Sequence, residues 1–369
     1  MQPAELGTTP LPPAVRAGAF HAYFVYDVAD TIDLERLGAI GEGSERAPLQ
    51  LRREASSAFI GYPTPPVAAR LPRSFDGIQQ RAKIFDYGVV SIRLTQSLAG
   101  EWADYASHAR LLRNDERWPV LANETLERIL ADIAPALDEP HAPLLEDYFA
   151  FEVESFVEPV RAAELLGPYA DALASLVLGE ERRLMPAERD EALRVAFAYF
   201  EDDLVVVQWD TAFVYDRREG ANAVEDILEF ANTQLAELRT YDALLDFELD
   251  TIYKLDVKKS GRRFGRKPAQ AAADRLRYLI VDVLELTDRA SNALKITGDA
   301  YYARLYRGAA GRLGLGDWQR QIDSKLQSVN EMYRFFADQA QTARGEFMEV
   351  VIILLIALEL VVGVLALRH

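Results

Sequence analysis

The sequence predicts an α+β head domain followed by an antiparallel helical coiled-coil stalk and one C-terminal transmembrane helix. Segments rich in aromatic and β-branched residues alternate irregularly with amphipathic stretches over residues 17–218, which favours an α+β domain. Heptad spacing of apolar residues dominates residues 219–346, as in long helices that pack side by side. A nearly uninterrupted apolar run follows at residues 347–367, and it is long enough to cross a bilayer.

The amino-acid composition excludes several classes of protein and of site. The 369 residues are 50% hydrophobic and carry a formal net charge of −17. Such an acidic chain repels polyphosphate, so nucleic-acid binding is not expected. The absence of cysteine excludes disulfides, thiolate metal sites and cysteine nucleophiles. Residues 1–16 contain four prolines and no apolar core, so a disordered tail is predicted there instead of a signal peptide, and we expect the head to lie in the cytoplasm.

The predicted strands of the head are the segments in which aromatic or β-branched residues cluster. Residues 19–28 and 83–94 show this composition most clearly. Residues 146–155 alternate with a period of two, which predicts a strand with one aromatic face. Residues 194–200 and 204–209 flank a short acidic turn, and this arrangement is typical of a hairpin.

Helices are predicted between these strands, over residues 95–113, 123–137 and 160–178. A shorter helix is predicted at residues 32–37, where Asp30-Thr31 can cap its first turn. The order of strands and helices shows no regular βαβ repeat. A doubly wound sheet is therefore the weaker interpretation of the head.

Three seams of apolar residues at heptad spacing define the predicted stalk. The first comprises Val224, Leu228, Ala231, Leu235, Leu238, Asp242, Leu245, Leu249 and Ile252. The second comprises Leu276, Leu279, Val283, Leu286, Ala290 and Ala293, and the third extends from Ile322 to Phe347. Three such seams, counting that of the final helix, predict an antiparallel helical coiled-coil arrangement, with a short helix near residues 301–312 in the connector between the second and third helices.

Asp242 occupies a position of the first seam at which the pattern requires an apolar residue. An unpaired buried carboxylate is costly, so this side chain should be paired, exposed or neutral. A single polar group in a coiled coil can fix the register of the helices, and we assign Asp242 this role. A functional acid is the alternative interpretation.

The apolar run at residues 347–367 contains one ionisable residue, Glu359. As a helix it covers about 30 Å, so it predicts a single-pass tail anchor in the cytoplasmic (inner) membrane. Glu359 would lie near the midplane, where an ionisable group normally has a partner. We therefore expect the tails to self-associate into a homo-oligomer with Glu359 facing inward. A tolerated carboxyl in a lone helix is the alternative.

A basic segment interrupts this acidic chain between the first two predicted stalk helices. It comprises Lys258, Lys259, Arg262, Arg263, Arg266 and Lys267. If the three helices pack antiparallel in turn, the basic segment lies at the same end of the stalk as the membrane span. It would then bind anionic lipid headgroups at the membrane surface. A solvated loop and an RNA-binding patch are the alternatives.

No catalytic, cofactor-binding or metal-binding motif is visible in the sequence. The four histidines, His21, His108, His141 and His369, show no ligand spacing. Neither a metal site nor a cofactor is therefore predicted. Enzymatic activity is left open, with a non-enzymatic role favoured.

The C-terminal part of the chain resembles a known family. The similarity rests on residues 228–235 (LEFANTQL), 298–301 (GDAY) and 349–359 (EVVIILLIALE). These stretches resemble the "required for meiotic nuclear division" or YagE-like family, which is built on a domain of unknown function. The resemblance implies a membrane-tethered protein without established catalysis. It also implies a link with organellar translation for a mitochondrial member, although no site residue is carried over.

Together these features predict a non-enzymatic, C-tail-anchored membrane scaffold or interaction protein with a cytoplasmic head and an unknown protein partner. The competing interpretation is an enzyme or nucleotide-binding regulator that acts through the head. A deep pocket with convergent polar groups would favour the second interpretation. A shallow head with an exposed apolar patch would favour the first.

Overall fold

The computed structural model divides into two compact units, residues 1–240 with 287–318 and residues 241–286 with 319–369. It describes residues 10–40, 50–53, 60, 62, 64–71, 77–257 and 299–328, with residues 281, 331, 334, 352 and 353. Every described β-strand belongs to the first unit.

A nine-stranded sheet forms the centre of the first unit, with the strand order β2-β3-β4-β5-β1-β6-β9-β8-β7. Its strands are β1 (Val15–Ile32), β2 (Gln50–Arg53), β3 (Val67–Arg70), β4 (Gln79–Ile84), β5 (Val89–Gly100), β6 (Leu137–Phe156), β7 (Ala196–Phe197), β8 (Leu204–Val207) and β9 (Thr211–Tyr215). Neighbouring strands are antiparallel, except that β6 and β9 run parallel.

The helices are α1 (Leu34–Ile40), α2 (Trp102–Arg113), α3 (Arg117–Ile133), α4 (Ala162–Leu165), α5 (Ala170–Leu178), α6 (Pro186–Ala192), α7 (Arg218–Val257) and α8 (Ala300–Arg312). A 3₁₀ turn at Ala134–Ala136 joins α3 to β6. Residues 315–328 are also helical.

The central strand β1 is buried on both faces of the sheet. Successive side chains of a strand point to opposite faces, so Phe20 and Phe24 share one face, while His21 and Val25 share the other. The Phe20 face is apolar and packs against α2, α3 and α5, with the Phe20 ring centroid 5.7 Å from that of Trp118. This layer forms the main hydrophobic core of the unit.

The first half of α7, up to residue 240, covers the opposite face of the sheet. Tyr87, which lies just before β5, contacts Thr233 of α7 at 3.0 Å between the hydroxyl oxygens. On another side of α7, the Phe230 ring lies 5.8 Å from that of Tyr306 on α8. Because it lies between the sheet and α8, this half of α7 buries both apolar and polar side chains. The buried polar set comprises Glu225, Glu229, Asn232, Thr233, Gln234, Glu237 and Thr240.

The structure confirms the α+β class of the head and corrects several of its predicted elements: the helix predicted at 123–137 lies at Arg117–Ile133, and the helix predicted at 160–178 is divided into α4 and α5. The helix predicted to begin at residue 95 is wrong, because residues 95–100 continue β5 and pair with β1. The helix itself begins at Trp102. The predicted hairpin is present as the antiparallel pair of β7 and β8. The strand β1 begins at Val15, within the segment for which a disordered tail was predicted.

The coiled-coil stalk is not shown in the described part of the chain. Val224, Leu228 and Ala231 of the first seam are buried inside the sheet-containing unit. The second seam lies outside the described residues, and the third is described continuously only to residue 328.

The predicted membrane anchor also falls largely outside the described residues, which include only Ile352 and Ile353 of that run. Glu359 and the basic segment at 258–267 are outside them as well. Within the described ranges, no helix combines the length and the apolar character needed to cross a membrane.

Candidate functional site

A groove of about 600 Å³ opens on the first unit beside the parallel strands β6 and β9. We call it the Arg239 groove. Its lining combines arginines and carboxylates with two tryptophans, and the six residues that define its chemistry are Arg113, Glu146, Trp209, Asp210, Arg239 and Trp318. Concave sites with aromatic walls and a few convergent polar groups are typical of small-ligand binding.

Five parts of the chain bring these side chains together, and one of them is the helical stretch 315–328, which contains Trp318. Arg113 ends α2, Glu146 lies on β6, and Arg239 lies on α7. Trp209 and Asp210 occupy the tight turn between β8 and β9. The turn presents Trp209 to solvent, and 69% of its surface is exposed.

Arg239 and Glu146 form an ion pair inside the groove. The guanidinium also lies over the Trp318 ring, 5.9 Å from the ring centroid, a distance typical of a cation–π contact. Burial raises the pKa of Glu146 to about 7, although Arg239 lowers it in part. Glu146 therefore exchanges a proton near neutral pH, and perturbed carboxyls of this kind cluster at functional sites.

Arg113 and Asp210 form a second ion pair at the groove. Burial raises the pKa of Asp210, against the opposing effect of Arg113. Both arginines are thus held in place by carboxylates that are themselves partly desolvated. Each carboxylate thereby restricts the orientation of the planar guanidinium group that it contacts.

A second cluster of ionisable groups lies between the sheet and α7, and we call it the charge network. Lys83 of β4 places Nζ 2.6 Å from Asp226 Oδ1 and 2.6 Å from Glu229 Oε2. Arg93 of β5 donates to Oε2 of Glu225. All of these partners cross from a strand to α7, so the network attaches the helix to the sheet.

His21 stands at one end of the charge network. Its Nε2 lies 2.7 Å from Glu152 Oε2 and 3.1 Å from Glu225 Oε1, while Nδ1 contacts the Thr95 hydroxyl at 2.9 Å. Burial lowers the pKa of His21, but the two carboxylates outweigh it and raise the pKa to about 9. Burial raises the pKa of Glu225, but His21 and Arg93 lower it to about 2.

The ligand-type atoms of His21, Glu152 and Glu225 lie within 4.8 Å of one another, so these residues could hold a metal ion. Sequence reasoning missed this cluster, because His21 and Glu152 are 131 positions apart in the chain. The signals that could have revealed it are a histidine in the predicted strand at residues 19–28 and a carboxylate, Glu152, in the predicted strand at residues 146–155.

Asp242 was the site residue predicted in the first seam, and the structure describes it within the second unit. Its carboxylate lies 2.7 Å from Lys325 Nζ and accepts a hydrogen bond from the Gln321 amide at 3.0 Å. It is therefore paired, which was one of the three states expected for it. The register role of Asp242 stays a prediction.

Comparison with known proteins places the chain in a family. The family model described as "Uncharacterized protein MJ0711, N-terminal domain" matches residues 17–222, more than half of the chain. The chain belongs to this family. The matched range contains most of β1 and all of β2 to β9, and it ends within the first turns of α7. The finer resemblance to the meiotic or YagE-like family is not confirmed by this match.

A curated relative supports the same family. The uncharacterized protein MJ0711 of Methanocaldococcus jannaschii is 24% identical over 175 residues, which cover 47% of this chain and 53% of the relative. The chain thus spans about half the length of that relative. No solved structure matches the chain.

Proposed function

We propose that this chain is a non-enzymatic, membrane-tethered binding protein, and that the Arg239 groove binds a small anion with a flat apolar part. The observation that carries the proposal is the placement of Arg239 between Glu146 and the ring of Trp318. The tether rests on the apolar run at residues 347–367 of the sequence.

The charge expected of the ligand follows from the Arg239–Glu146 pair. The Arg239 side chain is 43% exposed, whereas that of Glu146 is 9% exposed, so a ligand in the groove reaches the guanidinium first. Near neutral pH, Glu146 can take up a proton at a small cost in free energy, and its ion pair with Arg239 is then lost. A carboxylate, sulfonate or phosphate group of the ligand can then take its place on the planar guanidinium.

The apolar part of the ligand follows from the aromatic walls of the groove. Trp209 exposes most of its ring at the turn between β8 and β9, and Trp318 lies beneath Arg239. An exposed tryptophan beside a cavity offers a large, rigid stacking surface. A flat ring bearing an anionic group would use both parts of the site.

A binding role, instead of covalent catalysis, is supported by the groove's composition. Its lining, within the described residues, includes no Ser, Thr, Cys, His or Lys. The nucleophiles that these residue types supply are therefore absent from the described lining, and its proton-exchanging groups are the carboxylates Glu146, Asp147 and Asp210. Two arginines beside tryptophans suit recognition better than group transfer.

The proposal is tested with three naphthalene probes of matched size and different charge: 1-naphthylacetate, 1-naphthylmethylamine and 1-naphthalenemethanol. Calorimetry with the full chain should show that the anion binds about tenfold more tightly than the cation. Arg239→Gln and Trp209→Ala should each weaken anion binding by about tenfold. Phe200→Ala is the matched control, because Phe200 is 66% exposed and does not line the groove.

Tighter binding of the amine than of the acid would overturn the charge assignment. Equal losses from Trp209→Ala and Phe200→Ala would show that any exposed aromatic residue serves, and that the groove is not the site. If none of the three probes binds, the proposal that the groove binds an anion with a flat apolar part is wrong.

A further inference from the structure

We infer that His21, Glu152 and Glu225 form a binding site for one divalent first-row transition-metal ion within the charge network. The site shares no residue with the Arg239 groove. It is therefore independent of the proposed function, and either can fail without the other. The sequence alone predicts no metal site, so the inference rests on the structure.

The first support is the geometry of the three potential ligands. They come from β1, β6 and α7; β1 pairs with β6 in the sheet, and ion pairs from Lys83 and Arg93 join α7 to the sheet. The two measured separations from His21 Nε2 are 2.7 Å and 3.1 Å. Two ligands about 2.1 Å from one ion lie about 3.0 Å apart in octahedral coordination and about 3.4 Å apart in tetrahedral coordination. The side chains therefore already have nearly the spacing of adjacent ligands.

The second support is an unsatisfied oxygen. The imidazole Nε2 carries one proton, and its hydrogen bond goes to Glu152 at 2.7 Å. Glu225 Oε1 is buried and forms an ion pair with the same nitrogen at 3.1 Å, but it accepts no hydrogen bond from a described residue. The Glu225 side chain is 3% exposed, so water does not reach it freely. A buried acceptor in this state is costly, and a cation would contact all three ligand atoms at once.

The third support is the set of groups around the ligands. Thr95 contacts Nδ1 of His21 at 2.9 Å and fixes the orientation of the ring. Arg93 donates to the other oxygen of Glu225, which turns Oε1 toward His21. Metal-binding histidines and carboxylates are normally held by such hydrogen bonds in a second layer.

The chemistry of the ligands limits the choice of ion. One imidazole nitrogen with two carboxylates suits Zn²⁺, Mn²⁺, Fe²⁺ or Co²⁺ better than Ca²⁺ or Mg²⁺, which prefer oxygen ligands alone. On binding, the ion replaces the Nε2 proton of His21, and that proton passes to solvent. Because His21 and Glu225 are buried, we expect the ion to load most readily while the chain folds.

To test the inference, the full chain is first unfolded in denaturant that contains EDTA, and both reagents are then removed. The chain is refolded in the presence of Zn²⁺, Mn²⁺ or Co²⁺, or without metal. The number of metal ions bound per chain is measured after gel filtration. We expect one ion per chain, with visible absorption from Co²⁺ bound to nitrogen. Glu152→Gln should weaken Zn²⁺ binding by about tenfold or more. The matched control is Glu229→Gln, a buried carboxylate of the same network that is not a proposed ligand.

A second measurement locates the ion without any variant. In a chain with ¹⁵N-labelled histidine, Co²⁺ or Mn²⁺ should broaden the imidazole signals of His21 and leave those of the exposed His108 sharp. Folded wild-type chain that retains no metal would overturn the inference. Equal binding by Glu152→Gln and the wild type, or broadening at His108 instead of His21, would overturn it as well.

Discussion

Lys83 and Glu229 form a buried ion pair that joins β4 to α7, with 2.6 Å between Nζ and Oε2. Their side chains are 8% and 5% exposed. Burial lowers the pKa of Lys83, but Glu229 and Asp226 outweigh it and raise the pKa, so the lysine stays charged. Each charge is desolvated, so burying either one without the other would cost free energy. The two charges therefore stabilise each other.

Lys83→Met should destabilise the first unit by about 3–5 kcal/mol, because it leaves the Glu229 carboxylate buried without its cation. Urea unfolding measures this change in the free energy of unfolding. The double variant Lys83→Met/Glu229→Leu should recover most of the loss, since an apolar pair replaces the ion pair. A double variant no more stable than the single one would contradict this account.

Glu146 makes the stability of the chain depend on pH. Its pKa in the folded chain is about 7, against an ordinary value of 4.5. Between these values the folded chain binds more protons than the unfolded chain, so the contribution of Glu146 to stability falls as pH rises and is constant above about pH 7. Gln at this position cannot titrate and lacks this dependence.

We therefore expect the stability of Glu146→Gln relative to the wild type to rise by on the order of 2 kcal/mol between about pH 5 and about pH 8. Urea unfolding of both chains at the two pH values gives the difference. Glu127→Gln, at an exposed position of α3, is the matched control. A difference that is unchanged with pH, or that falls, would refute the role of Glu146.

The elements that could be predicted from the sequence are those whose patterns are local. Residues 146–155 alternate with a period of two and lie within β6. Residues 95–100 were misassigned because TQSLAG has no clear alternation, and pairing with β1 decides their conformation. Tertiary pairing overrides local preference at such positions.

The candidate sites were beyond prediction for a different reason. Arg239 and Glu146 are far apart in sequence, and only the packing of α7 on the sheet brings them together. The first seam was read as a coiled coil, because Val224 and Leu228 fit a heptad pattern. A helix buried between a sheet and a second helix satisfies the same pattern, so periodicity alone does not separate the two.

The Asp242–Lys325 pair should contribute measurably to the second unit. Asp242 is 13% exposed and Lys325 18% exposed, whereas Asp246, which also contacts Lys325, is 61% exposed. Asp242→Asn should therefore cost about 1 kcal/mol of unfolding free energy, and Asp246→Asn less than about 0.5 kcal/mol. Equal losses from the two substitutions, measured by thermal or urea unfolding, would show that burial does not decide the strength of these pairs.

The predicted anchor is tested by removing residues 347–369. The Val, Ile and Leu residues of this run favour insertion by about 0.3–0.6 kcal/mol each, which outweighs the single carboxyl of Glu359. The truncated chain should appear in the soluble fraction after carbonate washing of membranes. A chain that lacks residues 1–9 is the control and should remain with the membranes. Retention of the truncated chain would mean that the run is not the principal anchor.

The basic segment at residues 258–267 yields the last prediction, which rests on the predicted packing of three stalk helices. Helices over 221–257 and 317–346 would run parallel if each helix turns back on the one before it. The basic segment then lies beside the start of the span, and each of its six charges contributes about 1 kcal/mol of attraction to anionic lipid. It also satisfies the preference for positive charge on the cytoplasmic side.

A chain that ends at residue 346 should accordingly bind vesicles that contain phosphatidylserine, and binding should weaken as salt rises, because screening shortens the reach of these charges. In the matched variant, Gln replaces all six basic residues, Lys258, Lys259, Arg262, Arg263, Arg266 and Lys267. This variant should bind anionic vesicles no better than it binds neutral vesicles. Flotation of both chains with anionic and neutral vesicles measures the effect. Equal binding to the two kinds of vesicle would exclude anionic headgroups as the target. Binding to RNA in preference to anionic vesicles would instead favour the nucleic-acid interpretation of the segment.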